Sequence, residues 1–326
     1  MHKISCVERT IIMFHVAIIG AGNIAEKMAE TLNQMTEASA YAVASRDLEK
    51  AKAFAKKFHM EKAYGSYEEM MQDQEIDLVY VATPHSFHYE HMMLCLKHGK
   101  NVLCEKPFTV TCQEAEKALS YAEEQGLFVT EAMWTRYLPQ TEVLKSILEE
   151  KPVGKVSMVT ANLGYPLSVI PRMYKPESAG GAMLDLGCYP LHFVAICLGD
   201  QVESVTCHID KYSTGVDAQN VVTLQYPDNV LAISSSTMMA KSDRKGVLFC
   251  ENGYIVVENV NNYEDITVYD SDYQEIRKYP QPPQITGFEY QVLASKEAIE
   301  SGNTQCTQLP HKEILRIVKM MEECLH

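Results

Sequence analysis

Up to residue 133 the chain alternates short, continuously apolar runs with stretches whose apolar residues recur at three- and four-residue steps. His15-Val16-Ala17-Ile18-Ile19 has the length and composition of a buried strand, and a helical pattern from Asn23 to Asn33 begins directly after two glycines. Tyr41 to Ala44 predicts a second strand. It leads to Asp47, a suitable N-cap, and to a helix with Leu48, Ala51, Phe54, Ala55 and Phe58 at helical spacing. Ser66 with Glu69 predicts a capping box for a short helix, and Asp77 to Ala82 is another apolar strand, ended by Thr83-Pro84. His88 to Lys97 reads as a helix stopped by Gly99, Asn101 to Cys104 as a strand, Thr111 to Gly126 as a capped helix, and Phe128 to Thr130 as a sixth strand. Strands apolar on both faces, alternating with helices, predict an α/β domain over residues 1–133 with a doubly wound parallel sheet.

After about Trp134 the pattern changes. A helix starts near Pro139 and another follows Gly180-Gly181. From Ser204 to Lys278 apolar and polar residues alternate between turn signals, with a hairpin turn at Pro227-Asp228-Asn229. A final helix, about Glu313 to Cys324, carries Ile314, Ile317, Val318 and Met321 on one stripe. Residues 134–326 are therefore expected to form an α+β domain on a large, mostly antiparallel sheet.

Composition narrows the partners. At 326 residues and 46% hydrophobic the chain has material for two packed domains, and its formal charge of -14 argues against nucleic acid or an anionic membrane surface. A phosphate-bearing ligand must meet locally placed cations. The ten cysteines are scattered, with no C-x-x-C pair, as expected of reduced thiols. No stretch was expected to approach the roughly 20 apolar residues of a membrane span, and the amino terminus lacks a signal-type core, so the expected location is cytoplasmic. Residues 1–12 fit none of the patterns that follow; the expectation there is a leader that is disordered, or absent if translation starts at Met13.

Gly20-x-Gly22-x-x-Ala25 lies between a strand and a helix, the context in which such glycines bind a dinucleotide. Gly20 permits the turn, Gly22 admits a pyrophosphate, and the helix start at Asn23 and Ile24 offers free N–H donors. At the end of the second strand an NAD site usually places a carboxylate for the ribose. Here stand Ser45-Arg46, which fit a 2'-phosphate, so NADP(H) is favoured; Asp47 keeps NAD(H) as the alternative, and Lys50 is a second candidate phosphate contact. His85, His88 and His91 form an H-x-x-H-x-x-H run, but three-residue steps rotate the ligands around a helix. No metal site is expected from them, and His88 is placed in the cofactor crevice. Glu105-Lys106-Pro107 closes the fifth strand at the carboxyl edge of the sheet, where such folds bind their ligands. In Gly180 to Pro190, Asp185 and Tyr189 are four apart and share a helix face, His192 follows on a neighbouring part of it, and Pro190 predicts a kink.

Taken in order, Gly20-x-Gly22-x-x-Ala25, Ala82-Thr83-Pro84 followed by His88, Glu105-Lys106-Pro107 and Gly180-Gly181-x-x-x-Asp185-x-Gly187-x-Tyr189 resemble the Gfo/Idh/MocA oxidoreductases. Ala42 to Leu48, Leu103 to Pro107, Glu131 to Arg136 and Gly180 to Tyr189 look closest to the branch of dimeric dihydrodiol dehydrogenase and NADP-linked D-xylose dehydrogenase. The resemblance implies a Rossmann domain that binds NAD(P) through Gly20, Gly22, Asn23, Ile24, Ser45, Arg46, Thr83, Pro84, His88, Glu105 and Lys106. It implies hydride transfer at a carbinol or carbonyl carbon of a sugar, polyol or trans-dihydrodiol, with Lys106 and Tyr189 at the reacting oxygen and Asp185 orienting a substrate hydroxyl or the lysine. Trp134, Arg136 and His192 are expected to wall the substrate pocket. The second sheet is expected to form a homodimer or homotetramer. A catalytically silent nicotinamide-binding sensor or co-repressor is the alternative, and such a protein is free to lose Lys106, Asp185 and Tyr189. Many family members carry histidine where this chain has Tyr189. Bringing a phenol from about 10 to about 7 takes about 4 kcal/mol. One cation at about 4 Å supplies roughly that at an effective dielectric of about 20, so Lys106 is expected to tune Tyr189 toward neutral pH.

Overall fold

The computed structural model describes residues 13–326, and the expected leader lies outside the described residues. Strands β1 (Phe14–Ile19), β2 (Ala38–Ala44), β3 (Lys62–Tyr64), β4 (Leu78–Val81), β5 (Asn101–Glu105) and β6 (Val129–Ala132) form one parallel sheet in the order β3-β2-β1-β4-β5-β6. Helices α1 (Asn23–Leu32), α2 (Leu48–Lys57), α3 (Tyr67–Met71), α4 (His88–Lys97) and α5 (Cys112–Gln125) connect them. Val16, Ala17, Ile18, Leu78, Val79, Val102 and Leu103 are all fully buried, which is why these strands read as continuous rather than alternating. The strand order reverses between β1 and β4, and a crevice opens outside their carboxyl ends.

Local chemistry sets the helix ends. Asp47 accepts the Lys50 N–H at 3.2 Å, Thr111 and Glu114 form a reciprocal capping box, and Gly126 ends α5 with φ 65°. Each side-chain cap contributes about 1 kcal/mol. Ser66 accepts the Glu69 N–H at 3.1 Å, but the return bond from the Glu69 carboxylate is not made, so only half of the expected box forms.

The second sheet has eight strands, β7 (Val156–Gly164), β8 (Ser204–Lys211), β9 (Asp217–Tyr226), β10 (Val230–Thr237), β11 (Gly246–Cys250), β12 (Gly253–Val257), β13 (Ile266–Asp270) and β14 (Glu275–Tyr279), in the order β14-β13-β12-β11-β7-β10-β9-β8. The β9–β10 hairpin turns where expected, with Asp228 and Asn229 at φ 61° and 60°, a conformation that short polar side chains tolerate. β7 and β10 pair in parallel, the exception in this sheet. Helix α6 (Pro139–Glu150) leads into it, and α7 (Cys188–Leu198) packs beneath β7 and β10.

Two expectations are corrected here. Pro176–Leu198 is long and apolar enough, by composition, to cross a membrane, but nearly all of it is buried inside the fold as its core helix. The kink expected at Pro190 is instead a π-helical turn, Met183–Gly187, immediately before α7. The wider turn carries the backbone past a residue that has no N–H to give, and it presents Asp185 from that turn.

Helix α8 (Glu289–Glu300) has no clear apolar stripe. Its start is held by the Glu289 carboxylate, which accepts the N–H groups of Ile285, Thr286 and Gly287 at 2.6, 3.1 and 2.7 Å. The chain then returns to the first sheet: the Val129 N–H donates to the Thr304 carbonyl at 3.1 Å, and α9 (His311–Leu325) packs on α5 and α7.

Candidate active site

A cleft of about 660 Å³ lies at the carboxyl ends of β1, β4 and β5. Every residue expected to hold the cofactor lines it: Gly20, Gly22, Asn23 and Ile24 after β1, Ser45 and Arg46 after β2, Thr83, Pro84 and His88 after β4, and Glu105 and Lys106 at the end of β5. Gly20 has φ +100°, and a Cβ there would come within 2.8 Å of the Ala82 carbonyl oxygen. At Gly22 nothing lies within 4 Å of the space a Cβ would fill. Gly22 is also the N-cap of α1 and no side chain caps it, so the first-turn N–H donors remain available to an anion. The residues present therefore fit a dinucleotide. Beyond Arg46 the cleft continues into a hollow of about 690 Å³ lined by Tyr67, Phe87 and His91.

At the inner end Lys106 and Asp185 face each other from the two domains. The Lys106 ammonium donates to the Asp185 carbonyl at 2.7 Å and to its Oδ1 at 3.3 Å. Arg172 reaches both Asp185 carboxylate oxygens, at 3.2 and 3.3 Å, and His85 Nε2 is 3.6 Å from Oδ1. Burial would raise the Asp185 pKa, but Lys106, then His85 and Arg172, outweigh it and hold the carboxyl well below the usual range. Burial works against the Lys106 ammonium too, and Asp185 more than offsets it, so Lys106 stays charged.

Tyr189 lies against this pair, with the Lys106 ammonium 5.1 Å from its ring centre. The expectation that Lys106 brings the phenol near 7 is not met. Burial pushes the Tyr189 pKa up, above that of a free phenol, and the opposing pull of Lys106 is too small to reverse it. Much of the Lys106 charge is already compensated by Asp185, so little is left to stabilise a phenolate. The Tyr189 hydroxyl accepts from the Trp134 indole N–H at 3.2 Å and is a proton-bearing group at neutral pH.

The pocket-wall residues separate. Trp134 is joined to the site through Tyr189, but it is only 5% exposed, and Lys27 lines the cleft in front of it. Arg136 and His192 do not line the cleft at all. Arg136 Nε donates to His192 Nδ1 at 2.9 Å and its Nη2 pairs with Glu313 at 2.6 Å. A guanidinium only donates, so His192 is neutral, with its proton on Nε2, 3.5 Å from Glu131. α7 is buried along most of its length, and its polar residues take partners inside the core. Glu131 also accepts the Phe108 N–H at 2.9 Å; burial raises its pKa to about 7, and burial raises Glu105, bonded by Tyr80, to about 7.

The three histidines go to different partners. His88 is fully buried, with its ring nitrogens 2.7 and 2.9 Å from the carbonyl oxygens of Pro107 and Thr83, and so ties the loop after β4 to the turn that holds Lys106. His91 bonds Thr83 Oγ1 at 2.9 Å. His85, passed over in favour of His88, is the one beside Asp185. Arg172 and Lys27 were also missed. Lys27 had a signal, since it is four residues beyond Asn23 and shares its helix face; Arg172 sits in an irregular segment with none.

Residues 14–133 match the family described as an oxidoreductase family with an NAD-binding Rossmann fold, and residues 141–256 match the GFO/IDH/MocA C-terminal domain. The chain is 36% identical over 243 residues to a trans-1,2-dihydrobenzene-1,2-diol dehydrogenase of Xenopus tropicalis, covering 74% of each. It is 32% identical over 314 residues to the enzyme of that name from Macaca fascicularis, covering 94% of each. Its fold is shared with KijD10, a 3-ketoreductase of Actinomadura kijaniata solved with NADP and TDP-benzene, at a TM-score of 0.85 and 23% identity over 95% of this chain and 96% of that one.

Proposed function

The chain belongs to the Gfo/Idh/MocA family of oxidoreductases, and from that premise we propose that it is an NADP(H)-preferring dehydrogenase or reductase acting on the CH–OH or carbonyl group of a sugar, polyol or trans-dihydrodiol. The observation that carries this reading is the meeting of Lys106 and Asp185 at the inner end of a cleft whose other end is the Gly20–Gly22 turn, with Tyr189 packed against the Lys106 ammonium. A nicotinamide cofactor held by the Gly20–Gly22 turn and the residues lining the cleft would supply or accept the hydride. Lys106 donates to the substrate oxygen and stabilises the negative charge that develops there. Tyr189 passes its proton to that oxygen as the carbonyl becomes an alcohol, and takes it back in oxidation. Asp185 holds the ammonium in place, and Arg172 and His85 hold Asp185. The relatives named as dihydrodiol dehydrogenases, and the NADP bound to the ketoreductase, support the substrate class and the cofactor.

The 2'-phosphate contact is assigned to Arg46 with Ser45, at the edge of the cleft. Absorbance at 340 nm, followed with a panel of aldoses, polyols and dihydrodiols against NADP+ and NAD+, tests both the activity and the preference. Arg46→Ala is expected to shift the preference toward NAD+ by about 10- to 100-fold, the worth of one charge-assisted hydrogen bond. An unchanged preference removes Arg46 from this role, and no turnover with any substrate of the panel removes the reading as a whole.

We also propose a homodimer through the outer face of the second sheet, where Leu231, Met158 and Phe249 are neighbours on successive strands and Leu231 and Phe249 are exposed. Leu231→Glu is expected to yield a monomer by light scattering; an unchanged mass would exclude this face. A cytoplasmic location is supported by the cysteines, every one of which is a free thiol among the described residues.

A further inference from the structure

Lys27 stands one helical turn beyond Asn23 on α1, half-buried, with its side chain lining the cleft. Its ammonium lies 4.4 Å from the ring centre of Trp134 and 4.2 Å from that of Phe288. Trp134 is fixed beneath it. Its N–H donates to the Tyr189 hydroxyl, its ring meets Phe288 edge-on at 4.9 Å, and Gly287, at φ +91°, packs so closely that a Cβ would fall 2.5 Å from Trp134 Cζ3. Among the described residues no carboxylate, carbonyl or hydroxyl oxygen accepts a hydrogen bond from Lys27 Nζ. Glu105 and Glu289 act on it only at longer range, and burial lowers its pKa, as expected of an ammonium without a close anion.

An ammonium has three donors. Here the protein offers them two aromatic rings and the open cleft. One indole ring separates this cation from the Tyr189 hydroxyl, and Lys27 lines the same cleft as Lys106, so a molecule held at Lys106 has the Lys27 ammonium in the same cavity. We propose that Lys27 is a specificity-determining residue, whose ammonium donates to a hydroxyl or ring oxygen remote from the reacting carbon and selects a polyhydroxylated substrate, an aldose or polyol, over a dihydrodiol.

The discrimination follows from what each substrate does to the donors. A sugar satisfies them. A dihydrodiol presents hydrocarbon on the side away from its hydroxyls, leaves the donors unmet in a partly dehydrated site, and competes with the ammonium for the ring faces of Trp134 and Phe288, where it would otherwise stack. A site built to bond a polar group rejects an analogue without it more strongly than an apolar pocket rejects a misfit.

This inference rests on the oxidoreductase reading above, and the test separates the two. Wild type, Lys27→Met and Lys27→Arg are compared with D-xylose and with trans-1,2-dihydrobenzene-1,2-diol, each with NADP+. NADP+ affinity is followed by the fluorescence of Trp134, the single tryptophan of the chain. In Lys27→Met the ratio of kcat/KM for the sugar to that for the diol should fall at least about tenfold, through KM for the sugar, at saturating NADP+ and by more than any change in NADP+ affinity. Lys27→Arg should keep most of the wild-type ratio. An unchanged ratio in Lys27→Met, or a loss confined to NADP+ affinity, overturns the role of Lys27 while leaving the reaction standing. A wild type that prefers the diol also overturns it. A wild type that turns over neither probe overturns the reading on which it rests.

Discussion

Tyr189→Phe should lower kcat for carbonyl reduction by about a hundredfold to ten-thousandfold, the usual worth of a positioned general acid, while cofactor affinity stays close to that of the wild type. The ring is 6% exposed and does not line the cleft that fits the dinucleotide, so removing its oxygen leaves the cofactor contacts intact. What is lost is the proton. Burial keeps the phenol protonated, so in reduction the wild-type rate should be level through neutral pH and fall only in alkali. In oxidation the same group must first lose its proton, so the rate should rise with pH, by about tenfold per unit where this step limits. Both trends should vanish from whatever activity Tyr189→Phe retains. Measuring kcat in both directions from pH 6 to 10 decides the matter: a variant with the wild-type kcat and pH profile takes the proton away from Tyr189.

This differs from what the sequence alone leads one to expect, and the reason is physical. The strings around Lys106, Asp185 and Tyr189 make their meeting legible, as do the continuous strands that place Gly20 and Lys106 at one edge of a parallel sheet. Electrostatics is less legible, because it depends on how each charge is shared. Lys106 has its Asp185 partner at 3.3 Å, and that partner also draws on Arg172 and His85. From the spacing of a motif one sees the cation and the phenol but not the burial that opposes their interaction. Direction is lost in the same way. His88 and His85 are three residues apart, yet one is sealed between two carbonyls and the other faces Asp185. Arg136 lies two residues beyond Trp134 but turns away from Tyr189 toward Glu313, on a helix that sequence periodicity places without saying what it touches. The parallel β7–β10 pair was hidden because alternation marks which face of a strand is buried, not which strand lies beside it.

Lys106→Met carries the second large expected effect, because it acts on rate and on stability. Removing the cation at the reacting oxygen should cost about a hundredfold to a thousandfold in kcat. It also leaves Asp185 buried with only Arg172 and His85, and breaking a buried pair this way costs about 3–5 kcal/mol; Arg172 remains at 3.2 Å and places the loss toward the lower end. The pH dependence has a definite sign. The folded-state pKa of Asp185 is depressed, so its contribution to stability is present above the unfolded value near 4 and is lost as pH falls below it. Without Lys106 the depression shrinks, so the stability advantage of neutral over acid pH should be smaller in the variant. Adding Asp185→Asn to Lys106→Met should then restore part of the stability, since it removes the carboxylate that was left underpaired. A double-mutant cycle on thermal unfolding should show a coupling between the two positions of about 0.5–3 kcal/mol. Activity should not recover in the double variant, because the substrate oxygen still lacks its cation. Additive losses of stability would mean that Asp185 is held by Arg172 and His85 alone, and Lys106 would then owe its position to the turn tied down by His88.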